Sequence, residues 1–188
     1  MEAVCFKSMD GGGKENMKER ADQHFAALKE IIPNVARLML FDYDSSDEAF
    51  HPPPDNPTLF EWKRKNIENY LLVPDAWKRA ALCLMKCGKD NLFAYPVLQR
   101  IDSFFAEQNL TLPPGKTWRN VSAEIFSVVD GKRLLFEKND SLFHHLRNGS
   151  PSLQLLREEV AMVMTVDELH EDVHQFVAKL VALVASHQ

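Results

Sequence analysis

Apolar residues recur with two different periods along this chain. Over 17–32, Ala21, Phe25, Leu28 and Ile32 return at helical spacing and Pro33 follows, which predicts one amphipathic helix ending near that proline. The run "VARLMLF" (35–41) is instead almost continuously apolar, as in a strand covered on both faces of a parallel sheet. Ahead of the helix, "EAVCF" (2–6) is rich in strand formers and leads through three glycines into a loop, so strand, helix and strand predict a right-handed crossover. The segment "SSDEAFHPPPDNPT" (45–58) sets four prolines among acidic and amide residues and reads as an exposed loop, after which "LFEW" (59–62) resumes the sheet.

Past Pro74 the period is helical. "DAWKRAALCLMKC" (75–87) and "FAYPVLQRIDSFFAEQN" (93–109) predict two helices, and from about Val166 onward Leu169, Val173, Phe176, Val177, Leu180 and Val184 form one apolar stripe of a terminal helix. "LPPGKTW" (112–118) is a turn, and "AEIFSVVDGKRLLFEKN" (123–139) suits a strand or a short buried helix equally. The pattern therefore predicts an α/β fold: a partial α/β domain over 1–74 with a short, mainly parallel sheet, and a mainly helical region over 75–188 packed on it.

A chain of 188 residues with 45% apolar content is long enough for a packed core. Its net charge of −5 gives no general attraction for nucleic acid, so a nucleic-acid contact needs a local basic patch, for which Lys63, Arg64 and Lys65 are the candidate. Three cysteines, Cys5, Cys83 and Cys87, and no charged-then-apolar leader argue for a cytoplasmic protein without a disulfide framework. No apolar stretch approaches the roughly 20 residues of a membrane span.

Asp42 and Asp44 follow the run 35–41, and residues two apart on a strand project to one face. Such a pair offers four carboxylate oxygens to one point, where a hard divalent cation fits; aspartates in a strand-to-loop turn give the same pattern. "DGGGKEN" lacks the P-loop pattern, because Glu15 follows Lys14 and Ser8 takes the place of the earlier glycine. "HEDVH" (170–174) matches the zinc-peptidase motif but has no third ligand in the usual place, since Val177 and Leu180 stand where the extended motif needs glycine and histidine. Histidines edging a core-facing stripe explain it more simply. Cys83 and Cys87, one helical turn apart, read as buried free thiols rather than metal ligands.

Four tracts together, "ARLMLFDYDSSD", "WKRKNIENYLLVPDAW", "VVDGKRLLF" and "REEVAMVMTVDELHEDVHQFVAKL", resemble the carboxy-terminal nuclease region of the OLD (overcoming lysogenisation defect) family, a TOPRIM domain that usually follows an ABC-type ATPase. The resemblance covers nearly the whole chain in the family's order, and 63–72 is its most specific part. It implies a Rossmann-like TOPRIM sheet and a metal-dependent DNA nuclease, often in antiphage defence. Asp42, Asp44 and Glu68 would be ligands of Mg²⁺ or Mn²⁺, and Lys132 would stabilise charge at the scissile phosphate. TOPRIM domains begin with a strand ending in glutamate, commonly in Glu-Gly-x-x-Asp, and this chain starts one strand later. The resemblance is thus to a truncated region, with DNA as ligand, an ATPase partner absent from the chain, and impaired activity expected. A catalytically inactive module that binds a partner or nucleic acid is the alternative.

Overall fold

Proline placement marks where two helices of this chain begin. In the computed structural model, which describes residues 5, 7, 8, 13–43, 53, 56–122 and 124–186, Pro74 opens helix α2 (Pro74–Met85) and Pro96 lies in the first turn of α3 (Tyr95–Glu107). Proline is tolerated there because first-turn N–H groups have no intrahelical acceptor. The chain divides into two units, 1–61 with 177–188, and 62–176. The boundary read from the sequence at Pro74 falls inside the second.

In the first unit, helix α1 (Lys14–Ile31) accompanies two parallel strands, β1 (Met39–Phe41) and β2 (Leu59–Glu61), in register Met39 to Leu59 and Phe41 to Glu61. The expected return of the sheet at 59 is present. The strand expected over 35–41 is limited to its last three residues, and it is not covered on both faces: Met39 and Phe41 are buried with Ala21 and Leu59, while Leu40 between them is 41% exposed. A strand with one packed face needs only alternate apolar residues, so the continuous run overstated its cover. The strand expected at 2–6, and with it the crossover, lies outside the described residues except for Cys5. Lys14 Nζ reaches Glu61 Oε1 at 2.5 Å, joining the start of α1 to the end of β2.

The second unit is helical. Helix α2 buries Ala76, Trp77, Ala80 and Ala81 and stops where Lys86 turns left-handed; α3 buries Val97, Ile101, Phe104 and Phe105 at helical spacing. The ambiguous segment 123–139 resolves into a short helix α4 (Glu124–Val128) and a π-helical turn (Arg133–Glu137), each giving the core one side chain, Phe126 and Leu135. Helices α5 (Leu142–Gly149), capped by Ser141, and α6 (Arg157–Met162) complete the layer around Trp77, Ile101 and Phe105. Helix α7 (Glu171–Ala185) begins in this unit, and Asp172 is its single buried residue among those described, so the apolar stripe predicted for it is at most half-buried. Cys83 is exposed and Cys87 half-buried, which corrects the buried-thiol reading: Cys83 falls off the inward stripe of α2 and Cys87 lies beyond its end. No helix among the described residues is long and apolar enough to cross a membrane.

One close approach sets the tolerance of this core. A Cβ on Gly131 would lie 2.5 Å from Asn69 Oδ1 and 2.9 Å from the Asn69 backbone nitrogen, whereas one on Gly149 would meet only the Arg100 guanidinium, the end of a flexible side chain. Gly131→Ala is expected to lower unfolding free energy by about 1–3 kcal/mol in urea denaturation, the usual cost of overpacking, and Gly149→Ala by less than about 1 kcal/mol.

Candidate functional site

The tract 62–73 carries the most specific part of the sequence pattern, and its side chains alternate sharply between core and solvent. Asn66 precedes a 3₁₀ turn (Ile67–Leu71), and Val73 is extended before Pro74. A 3₁₀ turn has three residues per turn, so neighbouring side chains leave it in widely different directions: Ile67 is exposed while Glu68, Asn69 and Tyr70 are buried.

Asn69 anchors the tract. Its Nδ2 donates to the carbonyls of Phe126 at 2.9 Å and Val129 at 2.8 Å, and its Oδ1 accepts from Gly131 N at 3.1 Å. Asn66 does the same at the surface, accepting from Lys132 N at 3.3 Å. These bonds dock "DGK" (130–132) against "NIEN" (66–69), so two of the tracts that carry the resemblance meet in the second unit. Asp130 lies between them. Burial opposes its ionisation, but the Arg133 amide and Lys65 outweigh that and hold its carboxyl below the ordinary range.

The three cations expected to form a basic patch take separate roles. Arg64 is turned inward, 4% exposed, donating to Asn69 O at 2.8 Å and Val121 O at 3.4 Å with its guanidinium over the Tyr70 and Phe126 rings. Lys63 and Lys65 stay at the surface, Nζ of Lys63 3.1 Å from Asp172 Oδ1 and Nζ of Lys65 3.4 Å from Asp130 Oδ2. Planar arginine bonds two carbonyls and stacks on aromatics more readily than lysine does, which accounts for its choice as the buried member.

Glu68 is likewise buried, and Arg157 Nε donates to its Oε1 at 2.8 Å across 89 residues. Lys132 is exposed, with Nζ 3.0 Å from Glu137 Oε1. The Glu137 bond is the main cause of its raised pKa; Glu68 acts in the same direction and Arg157 against it, so the ammonium senses both. Glu68, Arg157, Lys132 and Glu137 thus form one charged cluster. In the first unit, Asp42 follows directly on the carboxyl end of β1 and is exposed, while Asp44 lies outside the described residues. Among the described residues, no three histidine, cysteine, aspartate or glutamate side chains gather as a metal site.

"HEDVH" has a structural use. His170 precedes α7 rather than lying on it, its Nε2 stands 3.1 Å from Val121 O, and its Nδ1 accepts from Asp172 N at 3.2 Å. A carbonyl only accepts, so Nε2 carries the proton, and neither ring nitrogen is open to zinc. The Tyr70 hydroxyl donates to Asp172 Oδ2 at 2.6 Å, and the tilted rings of Trp62 and His170 flank the Tyr70 ring. Burial opposes the charge on Asp172, but the adjacent His170 ring, the Tyr70 hydroxyl and Lys63 hold its carboxyl well below the usual range, while burial and the same carboxylate push the Tyr70 hydroxyl far up.

Sequence reasoning did not single out Arg157, Asn69, Tyr70 or Asp172. Arg157 opens one of the resembling tracts and Asn69 and Tyr70 lie in another, yet no spacing rule joins residues 57 to 102 positions apart. Comparison of the chain with protein-family models, curated proteins and solved structures finds no match.

Tyr70→Phe removes a bond to a buried charge and is expected to lower stability by about 1.5–3 kcal/mol near neutral pH, read by chemical denaturation. Because the folded pKa of Asp172 is depressed, its contribution is complete above the unfolded value of about 4 and is lost as pH falls below it. The raised Tyr70 pKa has the opposite sign: its contribution is complete below about 10 and is lost as pH rises further. Stability of the wild type should fall at both extremes, and Asp172→Asn should flatten the acid limb. An unchanged acid limb in Asp172→Asn would remove this carboxylate from the account.

Proposed function

We propose that this chain is a metal-dependent DNA nuclease region of the TOPRIM type found in the OLD family. The observation that carries the reading is Asp42, exposed immediately beyond the carboxyl end of a strand in a parallel pair, since ligands of open α/β sheets bind beyond the carboxyl ends of their strands. In this reading Asp42 and Asp44 hold Mg²⁺ or Mn²⁺, hard cations that take carboxylate oxygens. The ion's chemistry is to polarise a phosphoryl oxygen and activate water. Lys132, exposed on the second unit, supplies positive charge to a phosphate, and Glu68 is an acidic group beside it, held by Arg157.

One observation favours the alternative class, a module that binds nucleic acid or a partner without cutting. The Glu68 carboxylate is buried and already neutralised by Arg157, so a cation must compete with a formed ion pair to use it. Both readings are separated by one assay. On supercoiled plasmid with Mg²⁺ or Mn²⁺ the wild type is expected to nick slowly, and Asp42→Ala and Lys132→Ala are each expected to abolish nicking. Plasmid that is bound and never cut establishes the non-cutting module. Cutting that survives Asp42→Ala overturns the metal assignment.

A further inference from the structure

The pair formed by Glu68 and Arg157 leaves most of an arginine unused. Arg157 Nε donates to Glu68 Oε1 at 2.8 Å and its guanidinium lies 4.5 Å over the Phe136 ring, so the plane is fixed from two directions. A guanidinium has five N–H donors, and among the described residues none of the four on Nη1 and Nη2 has a protein acceptor. The Arg157 side chain is 43% exposed although the carboxylate it holds is 8% exposed. The donors therefore open to solvent from a group whose orientation is already set.

Its neighbours add to the same character. Phe136 belongs to the π-helical turn Arg133–Glu137, and Lys132 stands just before that turn, its backbone held by Asn66. Lys132 is half-exposed and within electrostatic reach of Arg157. Of the carboxylates bonded to these two cations, Glu68 is buried on Arg157 and Glu137 is half-exposed on Lys132. Exposed pairs such as Lys132 with Glu137 contribute little because solvent screens them, so an incoming anion displaces Glu137 at little cost. A planar, pre-oriented edge of Nη donors is the arrangement that grips two oxygens of one phosphate, and lysine beside it serves as a point charge.

We infer that Arg157 is a phosphodiester-binding residue, taking two non-bridging oxygens of one DNA phosphate through Nη1 and Nη2 while Nε remains on Glu68, with Lys132 as the second cation. The inference deepens the nuclease reading and rests on it only for the choice of DNA as ligand. Glu68 then acts as the positioning residue that aims the arginine.

The test is fluorescence anisotropy of a short labelled DNA duplex, in EDTA so that cleavage plays no part, titrated at several salt concentrations. Glu68→Gln removes a negative charge but keeps an oxygen that can accept from Arg157 Nε, and it is expected to bind at least as tightly as wild type. Glu68→Gln with Arg157→Gln removes one charge of each sign, so net charge equals that of wild type. This double variant is expected to bind several-fold more weakly, with a salt slope smaller by about one, the signature of one lost phosphate contact. Arg157→Lys keeps the charge and loses the planar edge; it should bind more weakly with an unchanged slope, and it serves if the double variant fails to fold. Wild-type affinity and slope in both Arg157 variants, or no binding of the duplex by wild type, overturns the inference. Plasmid nicking run in parallel separates the two proposals. Arg157-dependent binding without nicking sinks the nuclease reading alone, and nicking with binding indifferent to Arg157 sinks this one alone.

Discussion

The second unit is organised around the fully buried amide of Asn69. A buried amide left without partners costs about 1–3 kcal/mol, and here both of its donors and its acceptor are used by backbone groups of 126–131. Those bonds have one geometry, so the amide fixes the register between the 3₁₀ turn and the segment leading into the π-helical turn. A packed apolar contact could slide by a fraction of a residue; three hydrogen bonds to carbonyls and an amide cannot. The positions of Glu68, one residue before Asn69, and of Lys132, one residue after Gly131, follow from that register.

Charges in this unit sort by depth. Arg64, Glu68 and Asp172 are buried: Arg64 is held by backbone carbonyls, Asp172 by the buried Tyr70, and Glu68 by the part-exposed Arg157. Lys63, Lys65 and Lys132 are about half-exposed or more and hold single carboxylates. The first set specifies structure, because a buried charge that loses its partner costs several kcal/mol. The second set can exchange partners for a ligand at small cost. Arg157 belongs to both sets, its Nε committed inward and its Nη edge outward.

Much of the helical half could be read directly. The stripes of α2 and α3 are regular, and prolines mark their starts. Amphipathic period and helix boundaries are local properties, and local properties survive in sequence. The strand over 35–41 was legible in kind and not in extent, since an apolar run records hydrophobicity and not which neighbour covers each face; Leu40 shows the difference. Of the site, Glu68 and Lys132 were reached through resemblance, whereas the inward turn of Arg64 was not. A run of Lys-Arg-Lys looks uniform until the backbone assigns one member to the core. The reading of "HEDVH" failed as a helix pattern for a similar reason: His170 sits before the helix and spends both nitrogens on backbone.

The tract 62–73 also has a history imposed by the order of synthesis. Its polar groups find long-range partners 57 to 62 residues downstream for Arg64 and Asn69, 89 for Glu68 and 102 for Tyr70. Chain emerges from the ribosome amino-terminus first, so α2 and α3 are available to pack before the long-range partners of Arg64, Asn69 and Glu68 have been made. Closure of such long loops carries an entropic cost before any contact compensates it. A nascent chain stopped before Arg157 consequently lacks the partners of both Glu68 and Tyr70, and the buried polar groups of this tract are satisfied only once the carboxy-terminal segments have been made.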